Sequence, residues 1–243
     1  MKCIILAAGY ATRLYPLTEN FPKPLLSMGD KAILDYLVDD AADTGEVNGF
    51  IVVTNHKFAE HFKSWAKTKA LNIEVVDDKT MTNETRLGAV RDILYALEET
   101  KTDDDLLVMA GDNILDFSLK GFIDFAKEKD SSCVMCHEET SLKKLQKTGV
   151  ITTDENSLIT SYEEKSQNPK GHLAVPPFYV LKKDDAALIE KALENGCGAD
   201  APGSFAAWLS RNSKVYAYVM PGKRYDIGDI ESYEYVKEQF ERK

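Results

Sequence analysis

Apolar residues in the first 130 positions fall into two alternating patterns. Short unbroken runs at 2–7, 49–54, 72–76 and 105–110 are too brief for helices and read as strands buried on both faces. Between them, apolar residues recur every three or four positions, predicting helices near 31–44, 57–69, 87–99 and 118–129. Ile33, Leu34, Leu37, Val38 and Ala41 share one helical face, as do Phe58, Phe62 and Trp65. Such alternation implies right-handed crossovers and a parallel sheet covered on both sides, with function at the carboxyl ends of the strands.

After residue 130 the pattern tightens. Short β-like segments at 131–137, 148–152 and 158–162 crowd together, with Asp154-Glu155-Asn156 as a hairpin turn. A strand at 173–181 precedes a helix near 184–194. A compact helix around Phe205, Ala206, Trp208 and Leu209, a strand at 214–220 and an amphipathic helix at 229–242 complete the chain. No Gly- or Ser-rich linker divides the halves. The expected fold is therefore α/β: a Rossmann-like mixed, mostly parallel sheet flanked by helices, with a small β-rich lobe, all in one domain over 1–243 whose halves meet near 130.

Composition narrows the partners. The hydrophobic and charged fractions, 44% and 29%, are those of an ordinary globular protein. A net charge of −10 argues against nucleic acid, which demands a basic face, but not against nucleotides, which need only a local positive pocket. No apolar stretch approaches the ~20 residues that span a bilayer, and the N-terminal apolar run is too short for a signal sequence, so no membrane partner and a cytoplasmic location are expected. Four cysteines at 3, 133, 136 and 197 include one CxxC without the second pair a zinc site needs. A homo-oligomer is compatible with all of this.

Candidate chemistry concentrates in Leu6 to Leu26. Behind the first strand, Ala7, Ala8, Gly9 and Ala11 let backbone N–H groups approach a ligand closely. Arg13 follows, and Lys23 is held between Pro22 and Pro24. A strand, a small-residue loop stiffened by prolines and two cations form an anion cradle of the kind a triphosphate requires. Asp112 follows the apolar run Leu106 to Met109; it either caps the next helix or holds Mg²⁺ beside a triphosphate. Asp226 lies beside Gly228 without an evident structural duty and could complete a metal site, whereas Asp229 is placed to cap the last helix. Glu163-Glu164-Lys165 ends a strand, where a lysine could neutralise a second substrate's phosphate.

In order, these segments resemble the motifs of nucleotide-sugar pyrophosphorylases, the sugar-phosphate nucleotidyltransferases. Ala8-Gly9-Tyr10-Ala11-Thr12-Arg13-Leu14 with Pro22-Lys23-Pro24 matches that family's GGxGTRLxPLT…PKP opening, and Gly111-Asp112-Asn113 its GDN. Thr148-Gly149-Val150, Glu164-Lys165-Ser166 and Arg224-Tyr225-Asp226-Ile227-Gly228-Asp229 are similar to its YGV, EKP and WxDIGT segments. The resemblance implies transfer of an NMP unit from an NTP, dTTP or UTP by preference, to a small phosphorylated metabolite such as a sugar 1-phosphate, with release of pyrophosphate. It implies that 1–130 binds nucleotide and 131–243 the acceptor. Arg13 and Lys23 would be catalytic, and Leu6, Ala8, Gly9, Tyr10, Ala11, Thr12, Arg13, Asn83, Gly88 and Asp112 would contact the nucleotide. Gly149, Glu164, Lys165 and Val175 would contact the acceptor, and Asp112 and Asp226 would hold Mg²⁺.

The departures bear on substrate choice. Ala11 replaces a loop glycine, and Thr82-Asn83-Glu84-Thr85-Arg86-Leu87-Gly88-Ala89 stands where the family often carries a base-reading Gln. Pro177 removes an N–H near the expected sugar contact. A cytidylyltransferase using CTP and another phosphate or phosphonate acceptor is the alternative this leaves open.

Overall fold

The computed structural model describes residues 1–241. In chain order the elements are β1 (Lys2–Leu6), β2 (Ser27–Met28), β3 (Lys31–Ala32), α1 (Ile33–Asp43), β4 (Phe50–Thr54), α2 (Ala59–Ala66), β5 (Ile73–Asp77), α3 (Ala89–Thr100), β6 (Leu106–Ala110), β7 (Asn113–Leu115) and α4 (Lys120–Lys129). They continue with β8 (Ser132–Glu138), α5 (Leu142–Leu145), β9 (Gly149–Thr153), β10 (Ile159–Glu164), β11 (Leu173–Val175), β12 (Phe178–Leu181), α6 (Lys183–Ala186), α7 (Ile189–Glu194), α8 (Pro202–Leu209), β13 (Val215–Val219), β14 (Arg224–Asp226) and α9 (Ile230–Glu241).

The main sheet has ten strands in the order β10-β9-β11-β8-β12-β6-β1-β4-β5, with β13 joined to β8. The apolar runs of the first half form its parallel part, β6-β1-β4-β5. The second half adds β8 to β12 mostly antiparallel, with β13 parallel to β8. Helices cover both faces, giving the expected mixed α/β fold. On one face α3, α6, α7 and α8 pack on Ile4, Val53, Val108 and Tyr179. On the other, α1, α2 and α4 pack on Ile5, Val52, Met109 and Val180. Neighbouring strand residues alternate between these cores, as the period of two demands.

Cys133 and Cys136 illustrate that period: three residues apart on β8, they enter opposite cores. They cannot share a metal or a disulfide, and burial pushes both thiols up to about 12.

Two expectations need correction. The strand at 173–181 is two strands. Pro176 and Pro177 interrupt it, and the chain shifts from pairing with β9 and β8 to pairing with β8 and β6. The helix at 184–194 is also two, because Leu188 donates to Asp185 O at 3.0 Å in a tightened turn. The short strands β7 and β14 form in segments to which the apolar pattern assigns no element. The final helix was expected to reach 242, a position outside the described residues.

A third, smaller core seats the loops that matter. Leu14, Leu26, Met28, Ile33, Ile114 and Ile227 pack with Tyr233 and Val236 of α9. Burying an aliphatic side chain is worth about 1.5–3 kcal/mol, so Leu14 and Ile227 anchor their loops on either side of a common opening.

Candidate active site

The loop after β1 is built around one carbonyl. Ala11 O accepts from Leu14 N at 2.9 Å and from the buried Thr18 Oγ1 at 2.8 Å. Ala11 itself is left-handed, at φ 48° and ψ 42°. That geometry explains why a glycine resembles the better choice there, since an L side chain costs about 1–2 kcal/mol in this conformation. The loop's start is held by Asn55, which donates from Nδ2 to Ala8 O at 3.0 Å and accepts from Phe58 N at 3.1 Å. Sequence reading passed over Asn55, because a residue supporting a distant loop leaves no local signal.

Within this frame Gly9, Thr12 and Arg13 are exposed, while Leu14 is buried. The Tyr10 ring turns inward against Phe58, with centroids 6.4 Å apart, so its side chain belongs to the core. Leu6 ends β1 and accepts from Gly111 N at 3.0 Å, which sets the first loop beside the Gly111-Asp112-Asn113 segment.

Lys23 leads a short helical turn after Pro22. Its Nζ lies 2.5 Å from Asp112 Oδ2 and donates to Ile227 O at 2.7 Å. Asn113 Nδ2 donates to Asp112 Oδ1 at 2.8 Å. Burial alone would raise the Asp112 carboxyl, but the charge and hydrogen bond of Lys23, with the Arg224 charge and a backbone N–H, outweigh it and hold the group below the ordinary carboxylate range. Asp112 does not cap α4: Asp40 Oδ2 accepts from Leu119 N at 2.7 Å in that place.

Asp226 arrives beside Asp112 through the β7–β14 pair, in which it stands opposite Asn113. Ile227 N also donates to Asp112 O at 3.2 Å. Arg224 reaches across the ladder to Asn113 Oδ1 at 2.5 Å and lies 3.3 Å from Asp226 Oδ2. Asp229 is the helix cap anticipated, its Oδ1 accepting from Ser232 N at 2.9 Å. The Arg13 guanidinium stands over Gly228, where a Cβ would lie 3.9 Å from Nη2.

Arg13, Arg224, Asp226 and Gly228 line a cleft of about 990 Å³ together with Pro177, Lys147 and Lys223. Among the described residues no set of three His, Cys, Asp or Glu side chains could enclose a metal. Asp226 at the cleft and Asp112, whose oxygens are paired with Lys23 and Asn113, are the carboxylates that could hold Mg²⁺, whose remaining ligands would be phosphate oxygens and water.

The other predicted residues gather around the ends of β9, β10 and β11. Gly149 is buried, and a Cβ there would meet the Tyr162 hydroxyl at 2.5 Å and Glu164 Oε2 at 2.9 Å. Glu164 Oε2 has no hydrogen-bond partner, and burial pushes its carboxyl up to about 7 against the opposing pull of Lys165. Lys165 is exposed, at φ 50°. Val175 is buried, with its carbonyl accepting from Thr148 Oγ1 at 2.9 Å. Asn83 and Gly88 flank a separate loop, in which Gly88 (φ 92°) is pressed so closely on Ala199 that a Cβ would sit 2.6 Å from its carbonyl oxygen. Asp200 and Gly203 are further residues of this region that sequence reading did not single out.

Residues 2–243 match the family model described as nucleotidyl transferase. The chain is 26% identical over 243 residues to the glucose-1-phosphate adenylyltransferase of Fervidobacterium nodosum, covering 95% of this chain and 59% of that protein. It is 30% identical over 230 residues to the bifunctional protein GlmU of Methanocaldococcus jannaschii, covering 94% and 51%. It thus spans little more than half the length of these two relatives. A UDP-glucose pyrophosphorylase solved with UDP-glucose superimposes with a TM-score of 0.84 at 25% identity, covering 99% of this chain and 98% of that one.

Proposed function

Because the chain belongs to the nucleotidyl transferase family, we propose that it transfers an NMP unit from an NTP to a sugar 1-phosphate, with dTTP or UTP as the preferred nucleotide. The observation that carries this reading is the knot of Lys23, Asp112 and Ile227, which ties the loop carrying Lys23 to the turn carrying Asp112 and to the residue after Asp226. Relatives named as adenylyl- and uridylyltransferases of glucose 1-phosphate support the acceptor class.

The chemistry follows from that arrangement. A phosphate-monoester oxygen of the acceptor attacks the α-phosphorus of the NTP, the bond to the β-phosphate oxygen breaks, and pyrophosphate leaves. The attacking oxygen is already ionised at neutral pH, so no side chain need serve as nucleophile or base. What the protein must supply is alignment of two mutually repelling anions and compensation of charge in the transition state. Arg13 and Lys23 provide fixed cations on the nucleotide side, and Lys165 a cation on the acceptor side. Glu164, whose carboxyl burial pushes up to about 7, orients an acceptor hydroxyl. Asp112 and Asp226 would hold Mg²⁺, which supplies Lewis-acid stabilisation of phosphate charge. Asn83 and the backbone at Gly88 read the base.

A pyrophosphate-release assay over a matrix of dTTP, UTP, ATP, GTP and CTP against several sugar 1-phosphates tests this. Turnover with dTTP or UTP and a hexose 1-phosphate is expected. Pyrophosphate from CTP alone, or from no pair at all, would overturn it.

A further inference from the structure

The segment 199–203 touches both substrate sides at once, and we propose that Asp200 is a positioning residue that locks the base-reading loop and the acceptor lysine into one frame. This rests on the function proposed above. On the nucleotide side, Asp200 Oδ1 accepts from Arg86 Nε at 3.1 Å and Nη2 at 2.9 Å. Arg86 Nη1 in turn donates to Asn83 O at 3.0 Å, so the carboxylate reaches the candidate base reader through one side chain. Ala89 N donates to Asp200 O at 3.2 Å and Val90 N to Ala199 O at 2.9 Å, pinning the start of α3 to the same segment.

On the acceptor side, Asp200 Oδ2 lies 3.9 Å from Lys165 Nζ. Three residues on, Gly203 presses against Glu164, and a Cβ there would fall 2.1 Å from Oε2. One carboxylate therefore divides its two oxygens between segments from different halves of the chain. Both ion pairs are exposed, so each contributes little to overall stability. Their consequence is geometric: Lys165 would otherwise be an unpaired cation on a left-handed residue, and Arg86, at the end of a short helical turn, would keep only its bond to Asn83 O.

The test compares wild type with Asp200→Asn, Asp200→Glu and Arg86→Met by steady-state kinetics and by amide hydrogen exchange without substrates. Asp200 is exposed and its Asn variant isosteric, so the main-chain anchors persist. Asp200→Asn is expected to raise the KM of nucleotide and acceptor together by about three- to fivefold each, the size of an exposed charge pair, with kcat nearly unchanged. Exchange should quicken at both 83–90 and 164–166. Asp200→Glu should restore part of both effects, and Arg86→Met should disturb 83–90 alone. A change confined to one substrate and one segment, or no change, would overturn the proposal. The exchange measurement needs no turnover, so an inactive enzyme would refute the proposed reaction while the exchange pattern still decides this point.

Discussion

Lys23 and Asp112 face each other at 2.5 Å, and the same ammonium also holds the carbonyl of Ile227. A single cation thus neutralises the strand-end aspartate and fastens the segment carrying Asp226. Its side chain is only 11% exposed, so this pair is not screened like a surface salt bridge. Lys23→Met should lower kcat and destabilise the fold together, because it leaves a partly buried carboxylate unpaired. Asp112→Asn should cost about two orders of magnitude or more in turnover with a smaller effect on stability. Steady-state kinetics beside thermal melts would separate the two, and full activity of Asp112→Asn at saturating Mg²⁺ would remove that residue from the metal site.

Ala11 offers a gain rather than a loss. It is left-handed at φ 48° and half-buried in the first loop. Ala11→Gly should stabilise the protein by about 1 kcal/mol, the strain removed exceeding the extra backbone entropy of glycine. A denaturant titration that finds the variant weaker than wild type would contradict the strain argument.

Gly203 opposes two effects of similar size. Alanine in a helix is favoured over glycine by up to about 1 kcal/mol, but its Cβ would strike Glu164 Oε2. The carboxyl would have to swing away, with the acceptor's orienting group displaced. Gly203→Ala should therefore raise acceptor KM by about tenfold or more while nucleotide KM stays near wild type. Equal changes in the two constants would argue against this division.

Asp92 ties stability to pH. It is 6% exposed, Oδ1 has no partner, and burial with the nearby Asp78 charge pushes its carboxyl up from 3.8 to about 7. Between those values the unfolded chain gives up this proton while the folded chain keeps it, so stability falls as pH rises through the window and levels off above it. A shift of that size corresponds to about 4 kcal/mol at most. Asp92→Asn should melt higher than wild type at pH 8, with the difference shrinking towards pH 4. A difference independent of pH would refute the assignment.

Asn83 is the half-buried member of the loop where the related motifs carry glutamine. Asn83→Gln should change the ranking of the NTPs without altering acceptor KM. Competition assays with nucleotide pairs would detect it, and an unchanged ranking would exclude the side chain as base reader.

By itself the sequence determined the alternation of strands and helices, the two cores, the cap at Asp229 and the family, which the match over residues 2–243 bears out. These follow from local periodicity and from residue types in fixed spacing, information carried by neighbouring positions. Only the tertiary structure decided that 173–181 divides at its prolines, because the division is a change of pairing partner. It alone set Asp226 against the Gly111-Asp112-Asn113 segment through β7 and β14, three-residue strands too short to show a period. Asn55, Asp200 and Gly203 were hidden for the same reason. Each acts by touching a residue far along the chain, and such contacts exist only after the sheet has brought the ends of its strands together.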